Sequence, residues 1–270
     1  MEANELKRRA QETRKQCLTL IHTAGSGHPG GCLSAADLLT VLFYDGIGMS
    51  TESVLDPKRD LFVLSKGHAA PLLYSLIAMC GILSKKQLQT FRQPGSPLQG
   101  HPKQNRELGI DMTSGSLGQG LSEGVGMALA DRLDHRHRQI YVLVGDGECE
   151  EGQIWEAAMA AAHYQLDALC VIVDHNGLQL DGMLSQVMNP CPLKSKWEAF
   201  GWNSIEIDGH DIEQIQAAYR QAGKVKGKPT AIIAKTIKGK GVSFMENQVA
   251  WHGKTLTDQE LKQALKELSE

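Results

Sequence analysis

Short apolar runs alternate with amphipathic stretches along the chain. The runs are rich in β-branched residues and predict strands near 60–64, 140–144, 168–173, 203–207 and 230–236. Most of the segments between them place apolar residues at helical spacing. This alternation predicts an α/β fold in a single domain over residues 1–270, built on a doubly wound parallel sheet with helices on both faces.

Helical periodicity is clearest at the two ends of the chain. The apolar face of the first helix consists of Leu6, Ala10, Thr13, Cys17, Leu20 and Ile21. A second helix is expected near residues 35–44. The last helix begins at the capping box Thr257-Asp-Gln-Glu260, and its apolar stripe consists of Leu261, Ala264, Leu265 and Leu268. That stripe must pack on another surface, and we favour this same domain over a partner chain.

Two of the predicted strands end in polar turns. The strand near 140–144 runs into Gly145-Asp146-Gly147, and the strand near 168–173 runs into Asp174-His175-Asn176. Because ligands bind at the carboxyl edge of open α/β sheets, Asp146 and Asn176 are expected side by side there. A carboxylate, an amide oxygen and a backbone carbonyl suit Mg²⁺, which usually adds phosphate and water oxygens.

The interval between Asp146 and Asn176 gives this site a more specific interpretation. The two residues are 30 positions apart, a spacing that points to the magnesium-bound diphosphate of thiamine diphosphate. Gly147 lets the backbone approach the phosphates without a Cβ in the way. A surface turn is the alternative for the Gly-Asp-Gly segment taken alone.

Composition narrows the class of protein. Hydrophobic residues make up 41% of the chain, which is enough for a full core. The net charge is −3 without a basic run, which argues against nucleic acid, and no apolar stretch approaches the roughly 18 residues of a membrane span. No secretory signal is evident, so a cytoplasmic location is expected. Free thiols are expected because no zinc-site spacing links the cysteines at 17, 32, 80, 149, 170 and 191.

The ten histidines fall into two groups. Most are expected to be ordinary surface or hydrogen-bonded core residues, including His135, His137 and His163. The second group lies in turns that contain glycine or proline: His28, His68, His101 and His252. Imidazole exchanges protons near neutral pH and binds hydroxyl or phosphate oxygens, so the second group supplies candidate active-site residues.

Six blocks of sequence resemble the transketolase family, in the order found in the amino-terminal third of its members. The blocks are Ser26-Gly27-His28-Pro29-Gly30, Phe62-Val-Leu-Ser-Lys66-Gly67-His68-Ala-Ala-Pro71, Gly100-His101-Pro102, Gly115-Ser-Leu-Gly-Gln-Gly120, Gly145-Asp-Gly147 and Trp251-His252-Gly253. The resemblance covers nearly the whole chain and implies the thiamine diphosphate-binding fold. Transketolases continue through a pyrimidine-binding domain and a carboxyl-terminal domain. This chain therefore looks like the amino-terminal, diphosphate-binding subunit of a split transketolase.

The resemblance also implies roles for individual residues. The divalent cation, Mg²⁺ or another such as Ca²⁺ or Mn²⁺, is expected on Asp146, Asn176 and the Leu178 carbonyl. The implied cofactor-binding residues are Lys66, His68, Gly115, Leu117, Gly147, Glu151, Asn176, Lys238 and His252. The implied catalytic residues around the reacting carbon and the donor sugar are His28, His101 and His252. Glu151 matches an acid at the family's subunit contact, whereas Lys238 is equally well interpreted as a solvent-facing lysine.

Such a subunit implies transfer of a two-carbon ketol unit from a ketose phosphate to an aldose phosphate. The implied partner is a carboxyl-terminal transketolase subunit with the pyrimidine-binding domain, and two copies of each would form a heterotetramer. Two alternatives stay open. One is a split ketolase for a branched, sulfonated or unphosphorylated sugar. The other is a noncatalytic assembly or regulatory subunit, against which the intact Asp146, Asn176, His28 and His252 argue.

Small residues recur at every fourth position of one predicted helix, at Gly118, Ser122, Gly126 and Ala130. Such a ridge lets another element approach closely, either in the subunit contact typical of transketolases or within the chain, and the two interpretations are equally favoured. Gly118-x-Gly120 does not continue as a dinucleotide-binding fingerprint, because Glu123 occupies the position of the third glycine.

Overall fold

In the computed structural model, which describes residues 1–269, the chain forms a parallel sheet of five strands. The strands are β1 (Leu61–Leu64), β2 (Ile140–Gly145), β3 (Leu169–His175), β4 (Asn203–Asp208) and β5 (Thr230–Lys235). Their order in the sheet is β1-β2-β3-β5-β4, and every neighbouring pair is parallel. All the predicted strands are confirmed, with bounds that differ from the expected ones by at most about two residues.

Helices connect the strands and follow the last of them. The α-helices within residues 1–269 are α1 (Ala3–Ala24), α2 (Pro29–Ser34), α3 (Ala36–Val41), α4 (Ala70–Met79), α5 (Lys85–Leu88), α6 (Gln119–Leu133), α7 (Gly152–His163), α8 (Leu184–Val187), α9 (Leu193–Ala199), α10 (Ile212–Ala222) and α11 (Asp258–Glu267). None of them combines the length and the apolar character that crossing a membrane requires.

Both faces of the sheet are buried under helices. Tyr141 and Leu143 of β2 belong to one buried cluster, together with residues of α1, α3, α4 and α10. Val142 and Val144 point to the other face, where they join residues of α6, α7 and α9. Burial on both faces is what a parallel sheet with crossover helices requires, and it confirms the doubly wound α/β architecture.

The helix predicted near residues 35–44 is confirmed as α3, which continues directly into a π-helical turn over Leu42–Gly46. The short helix α2 before it was not predicted. Pro29 is the first residue of α2, where its missing N–H leaves no hydrogen bond unmade. This early start puts His28 directly before the helix.

The carboxyl-terminal helix packs on the same domain, as predicted. Thr257 and Glu260 form the capping box, in which each side chain accepts a hydrogen bond from the other residue's backbone N–H. Ala264 and Leu268 are buried in the cluster that contains the apolar face of α1. Leu261 and Leu265 are half-buried, so the stripe packs on this chain.

One side of α6 lies directly against the end of β1. A Cβ at Gly120 would be 2.5 Å from Ser65 Cβ, so only glycine permits this approach. The predicted ridge of small residues extends onto a different side, where Gly126 and Ala130 are exposed. Packing within the described residues thus does not explain why positions 126 and 130 have small residues.

Candidate cofactor site

The turns after β2 and β3 lie against each other at the carboxyl edge of the sheet. Gly145 pairs with Asp174 in the parallel register. The Gly177 N–H donates to Asp146 Oδ2 at 2.6 Å, and Asp146 is only 2% exposed. The structure therefore brings Asp146 and the segment 176–178 together, as the strand pattern predicts.

These turns contain the oxygen atoms of the predicted metal site. Asp146 Oδ1 accepts from the Gly147 N–H at 2.9 Å. Asn176 Oδ1 accepts from the Leu178 N–H at 3.2 Å, and the Leu178 carbonyl accepts from Lys238 Nζ at 3.1 Å. A carboxylate, an amide oxygen and a carbonyl, completed by phosphate oxygens, are ligands that Mg²⁺ prefers. Within residues 1–269, no group of three or more His, Cys, Asp or Glu side chains forms another candidate metal site.

The electrostatic surroundings of Asp146 fit a cation at this position. Burial, together with the nearby Asp174 carboxylate, raises the pKa of Asp146 to about 7. An adjacent divalent ion would stabilise the charged form of such a carboxylate. Asn176 Nδ2 donates to Asp174 Oδ2 at 3.3 Å, so Asp174 orients the amide with its oxygen on the opposite side.

Lys66 is engaged by the protein beneath these turns. Its Nζ donates to the Gly31 carbonyl at 2.8 Å and to Asp174. Asp174 also accepts from Ser34 Oγ at 2.5 Å and from Thr236 Oγ1. Burial opposes ionisation of Asp174, but Lys66 and the two hydroxyls hold the pKa of this carboxyl below its ordinary value. Lys66 thus has a buried internal partner, and a phosphate contact by Lys66 stays a prediction.

Three of the predicted histidines form a triangle of imidazole rings. The ring centroids of His28 and His68 are 5.3 Å apart, those of His28 and His252 are 5.5 Å apart, and those of His68 and His252 are 5.2 Å apart. Burial lowers the pKa of all three, and for His252 burial and the charge of Lys238 lower it to about 3. Near neutral pH these rings are therefore uncharged, with one nitrogen that donates and one that accepts.

His101 lies beside the triangle on an exposed loop. It is one of the charges that, after burial, lower the pKa of His28. A Cβ at Gly115 would be 3.4 Å from His101 Cγ, so the two loops run alongside each other. Leu117 is 38% exposed, and Glu151 is exposed as well. Gly115, Leu117 and Glu151 thus lie on an exposed rim, and their contacts with a cofactor stay predictions.

Lys238 connects the 176–178 turn to the triangle formed by the rings of His28, His68 and His252. It is 2% exposed, donates to the Leu178 carbonyl, and has its Nζ 2.9 Å from His252 Nδ1. Burial, followed by repulsion from Lys66, lowers the pKa of Lys238 to about 8. The interpretation of Lys238 as a solvent-facing lysine is therefore wrong.

Glu148 belongs to the site although the sequence pattern did not single it out. Its carboxylate is buried, with Oε1 accepting from the Gly118 N–H at 2.9 Å and from Ser65 Oγ. Oε2 accepts from the Gly145 N–H at 3.0 Å. Glu148 thereby connects the turn after β2 to the end of β1 and the start of α6. Its place directly after Gly-Asp-Gly was the available signal.

The remaining histidine and cysteine predictions agree with the structure. His135, His137 and His163 are exposed. All six cysteines are free. Burial raises the pKa of the Cys149 thiol well above its ordinary value, so Cys149 is a structural thiol rather than a nucleophile.

A cavity of about 540 Å³ lies away from this edge, beside the start of β1. Arg59 and Arg138 line it, but each pairs with a carboxylate, Asp111 and Asp131 respectively. The charge of these arginines is therefore neutralised, and the cavity contains none of the predicted site residues.

Comparison with known proteins connects this geometry to one family. Residues 6–269 match the family model described as the thiamine diphosphate-binding domain of transketolase. The chain is 45% identical to the 6-deoxy-6-sulfo-D-fructose transketolase subunit of a Clostridium strain, over 98% of this chain and 96% of that protein. It is 39% identical to an apulose-4-phosphate transketolase subunit of Phocaeicola vulgatus, over 100% of this chain and 96% of that protein.

Single-chain transketolases are similar to the chain over part of their length. Human transketolase is 40% identical over 97% of this chain, which corresponds to 42% of the human protein. The transketolase structure from Leishmania mexicana superposes with a TM-score of 0.91 at 31% identity, covering 98% of this chain and 41% of that one. The transketolase from Campylobacter jejuni gives a TM-score of 0.89 at 35% identity, covering 98% and 43%.

Proposed function

Because this chain belongs to the transketolase family, we propose that it is the diphosphate-binding subunit of a split transketolase and transfers a two-carbon ketol unit together with a partner chain. One observation carries the proposal: Asp146 is held against the 176–178 turn, beside a triangle of uncharged histidines. Relatives named as separate transketolase subunits match the chain along nearly their whole length, which supports a divided enzyme.

In this proposal the two strand turns hold the metal and the diphosphate. Asp146, Asn176 and the Leu178 carbonyl bind Mg²⁺ or a similar divalent ion. The half-buried backbone at Gly147 and the imidazole of His68 would bind the phosphates. Asp174 keeps the amide of Asn176 in the orientation that offers its oxygen to the ion. Lys66 contributes mainly by keeping Asp174 charged.

The histidines supply proton transfer and sugar contacts. When bound, the thiazolium ring of thiamine diphosphate supplies an acidic carbon and an electron sink. His28, His101 and His252 exchange protons with the reacting oxygens and bind the donor sugar, for which the uncharged form is suited at neutral pH. Since His252 Nδ1 accepts from Lys238, its proton is on Nε2, where it can be donated.

A separate carboxyl-terminal transketolase subunit completes the site in this proposal. It supplies the pyrimidine-binding domain, and two copies of each chain assemble as a heterotetramer. The exposed rim of Gly115, Leu117 and Glu151 is the surface of the site that such a partner would cover.

Mixing experiments test this assignment. The purified chain, its candidate partner and their equimolar mixture are each assayed for ketol transfer between sugar phosphates with thiamine diphosphate and Mg²⁺. We expect turnover from the mixture only. Robust turnover by this chain without a second polypeptide would contradict the proposed division of the enzyme.

A modified sugar is a second candidate for the donor. It is favoured by the similarity to subunits named for a sulfonated fructose and for apulose 4-phosphate. Comparing phosphorylated, sulfonated and branched ketoses as donors for the assembled complex decides between the two. A preference of kcat/KM for ordinary ketose phosphates would support the first candidate, and a preference for a modified ketose would support the second.

A further inference from the structure

Lys238 lies between a proposed metal ligand and a proposed catalytic histidine. Its Nζ donates to the Leu178 carbonyl at 3.1 Å and lies 2.9 Å from His252 Nδ1. The Leu178 carbonyl oxygen is a ligand of the proposed metal ion, and His252 Nδ1 belongs to a proposed catalytic imidazole. One ammonium group therefore connects the 176–178 turn to the histidine triangle.

Hydrogen bonds hold the backbone of the loop around Lys238. The Asn247 N–H donates to the Lys238 carbonyl at 2.9 Å. On one side of Lys238 the Ile237 N–H donates to His210 Nε2 at 2.8 Å, and on the other the Gly239 N–H donates to the Gly30 carbonyl at 3.0 Å. The ammonium group ends a flexible stem of four methylene groups. Displacement of the ammonium group from the Leu178 carbonyl would leave these backbone hydrogen bonds of the loop in place.

A divalent ion on the Leu178 carbonyl would lie very close to this ammonium group. Mg²⁺ binds oxygen at about 2.0–2.1 Å, so a lysine nitrogen bonded to the same oxygen would be within roughly 5 Å of the ion. The nearest charges to Lys238 are Lys66, Asp146 and Asp174. The two carboxylates are matched by two ammonium groups, so the region has no excess of negative charge to attract the ion. The ammonium group of Lys238 repels a 2+ ion on the Leu178 carbonyl unless Lys238 moves or a diphosphate arrives with the ion.

We propose that Lys238 and the divalent ion compete for the Leu178 carbonyl, and that metal binding displaces Lys238 and thereby changes the hydrogen bonding of His252 Nδ1. The inference rests on the proposed function, because it takes Leu178 as a metal ligand. Binding of the cation together with the diphosphate would therefore change the hydrogen bonding of His252, a proposed catalytic residue.

Binding of Mn²⁺ alone to the full chain tests the competition. Free Mn²⁺ is counted by electron paramagnetic resonance, without thiamine diphosphate, for the wild type, Lys238→Met and Lys238→Arg. Removal of the charge in Lys238→Met is expected to tighten Mn²⁺ binding by at least about tenfold. Lys238→Arg keeps the charge and is expected to bind as weakly as the wild type. The matched control is Lys240→Met, in the same loop, because Lys240 pairs with Glu246 at the surface and its removal should leave the affinity unchanged.

Nitrogen NMR of the histidine-labelled chain tests the link to His252. Addition of Mg²⁺ is expected to shift the His252 Nδ1 resonance of the wild type, because the ammonium donor leaves. In Lys238→Met that resonance should have its shifted position before Mg²⁺ is added and should then respond little. An Mg²⁺-insensitive His252 Nδ1 in the wild type, under conditions where Mg²⁺ binds, would overturn the link.

Asp146→Asn separates failure of this inference from failure of the proposed function. If Asp146→Asn abolishes Mn²⁺ binding while Lys238→Met binds like the wild type, the competition is refuted and the metal site stands. If Asp146→Asn binds Mn²⁺ as well as the wild type, the metal site is wrong and the competition falls with it. Loss in Asp146→Asn and tightening in Lys238→Met would support both.

Discussion

Lys66 and Asp174 form an ion pair that is almost completely buried, with side chains 2% and 0% exposed. The pair joins the end of β1 to the end of β3, directly below the turn that carries Asn176. Taking both charges out of water is costly, and either charge without its partner would be buried and uncompensated. Its value for the site is the orientation that Asp174 imposes on Asn176.

Removal of one partner of this pair should be strongly destabilising. We expect Lys66→Met to lower the free energy of unfolding by about 3–5 kcal/mol, because Asp174 is left buried without its counter-charge. Urea unfolding measures the change. The control is Lys254→Met, which breaks the exposed pair with Glu260 and should cost less than about 1 kcal/mol. A similar small loss for Lys66→Met would contradict the role of the pair.

The buried Asp37 should make stability depend on acid pH. Although burial opposes its ionisation, Arg14 and His210 hold the pKa of Asp37 at about 2, below its ordinary value of 3.8. For a carboxyl with a lowered pKa, the stabilisation is complete above the unfolded value and is lost as the pH falls towards the folded value. We expect the stability gap between the wild type and Asp37→Asn to shrink by about 1 kcal/mol between about pH 6 and pH 3. A gap that is independent of pH in urea unfolding would contradict this.

Loss of Glu148 should destabilise the turn after β2. Glu148→Ala leaves the Gly118 and Gly145 N–H groups without their acceptor, and each buried unpaired donor costs about 1–3 kcal/mol. We therefore expect a loss of about 2–6 kcal/mol in unfolding free energy, measured by urea unfolding. Glu150→Ala in the same turn removes only a half-buried contact with Gln179 and serves as the control. Equal stability of the two variants would argue against the role of Glu148.

The positions of the strand ends were predictable because they follow from local pattern. Apolar runs before Asp146 and Asn176, with the rule that parallel strands end at one edge, were enough to bring these residues together. Glycine and proline around His28, His68 and His252 likewise identified turns at element ends.

The charge network beneath the site was not predictable from the sequence. Lys66 and Asp174 are separated by 108 residues, and their contact depends on the strand order and register. Lys238 has glycines on its carboxyl side, a pattern typical of an exposed loop, but the loop folds inward and buries it. Glu148 has no partner within reach in its own segment except Gly145, so its role depends on where β1 and α6 end.

His252 should matter for turnover and little for folding. In the complex with the partner chain, His252→Ala is expected to reduce kcat by about 100- to 10,000-fold, the usual contribution of a positioned proton-transfer group. His163→Ala changes an exposed histidine outside the site and is expected to keep full activity. Steady-state ketol transfer and urea unfolding are measured on both variants. A kcat for His252→Ala close to that of the wild type would remove this residue from the catalytic group.

The proposed metal site at Asp146 is tested most directly by calorimetry. Thiamine diphosphate is titrated, in the presence of Mg²⁺, into the assembled complex carrying Asp146→Ala. The matched control is Asp181→Ala, which removes an exposed carboxylate a few residues beyond Asn176. We predict that Asp146→Ala abolishes the binding heat, because the proposed metal site loses the carboxylate of Asp146, while Asp181→Ala binds like the wild type. Binding of thiamine diphosphate to Asp146→Ala with wild-type affinity would contradict the account.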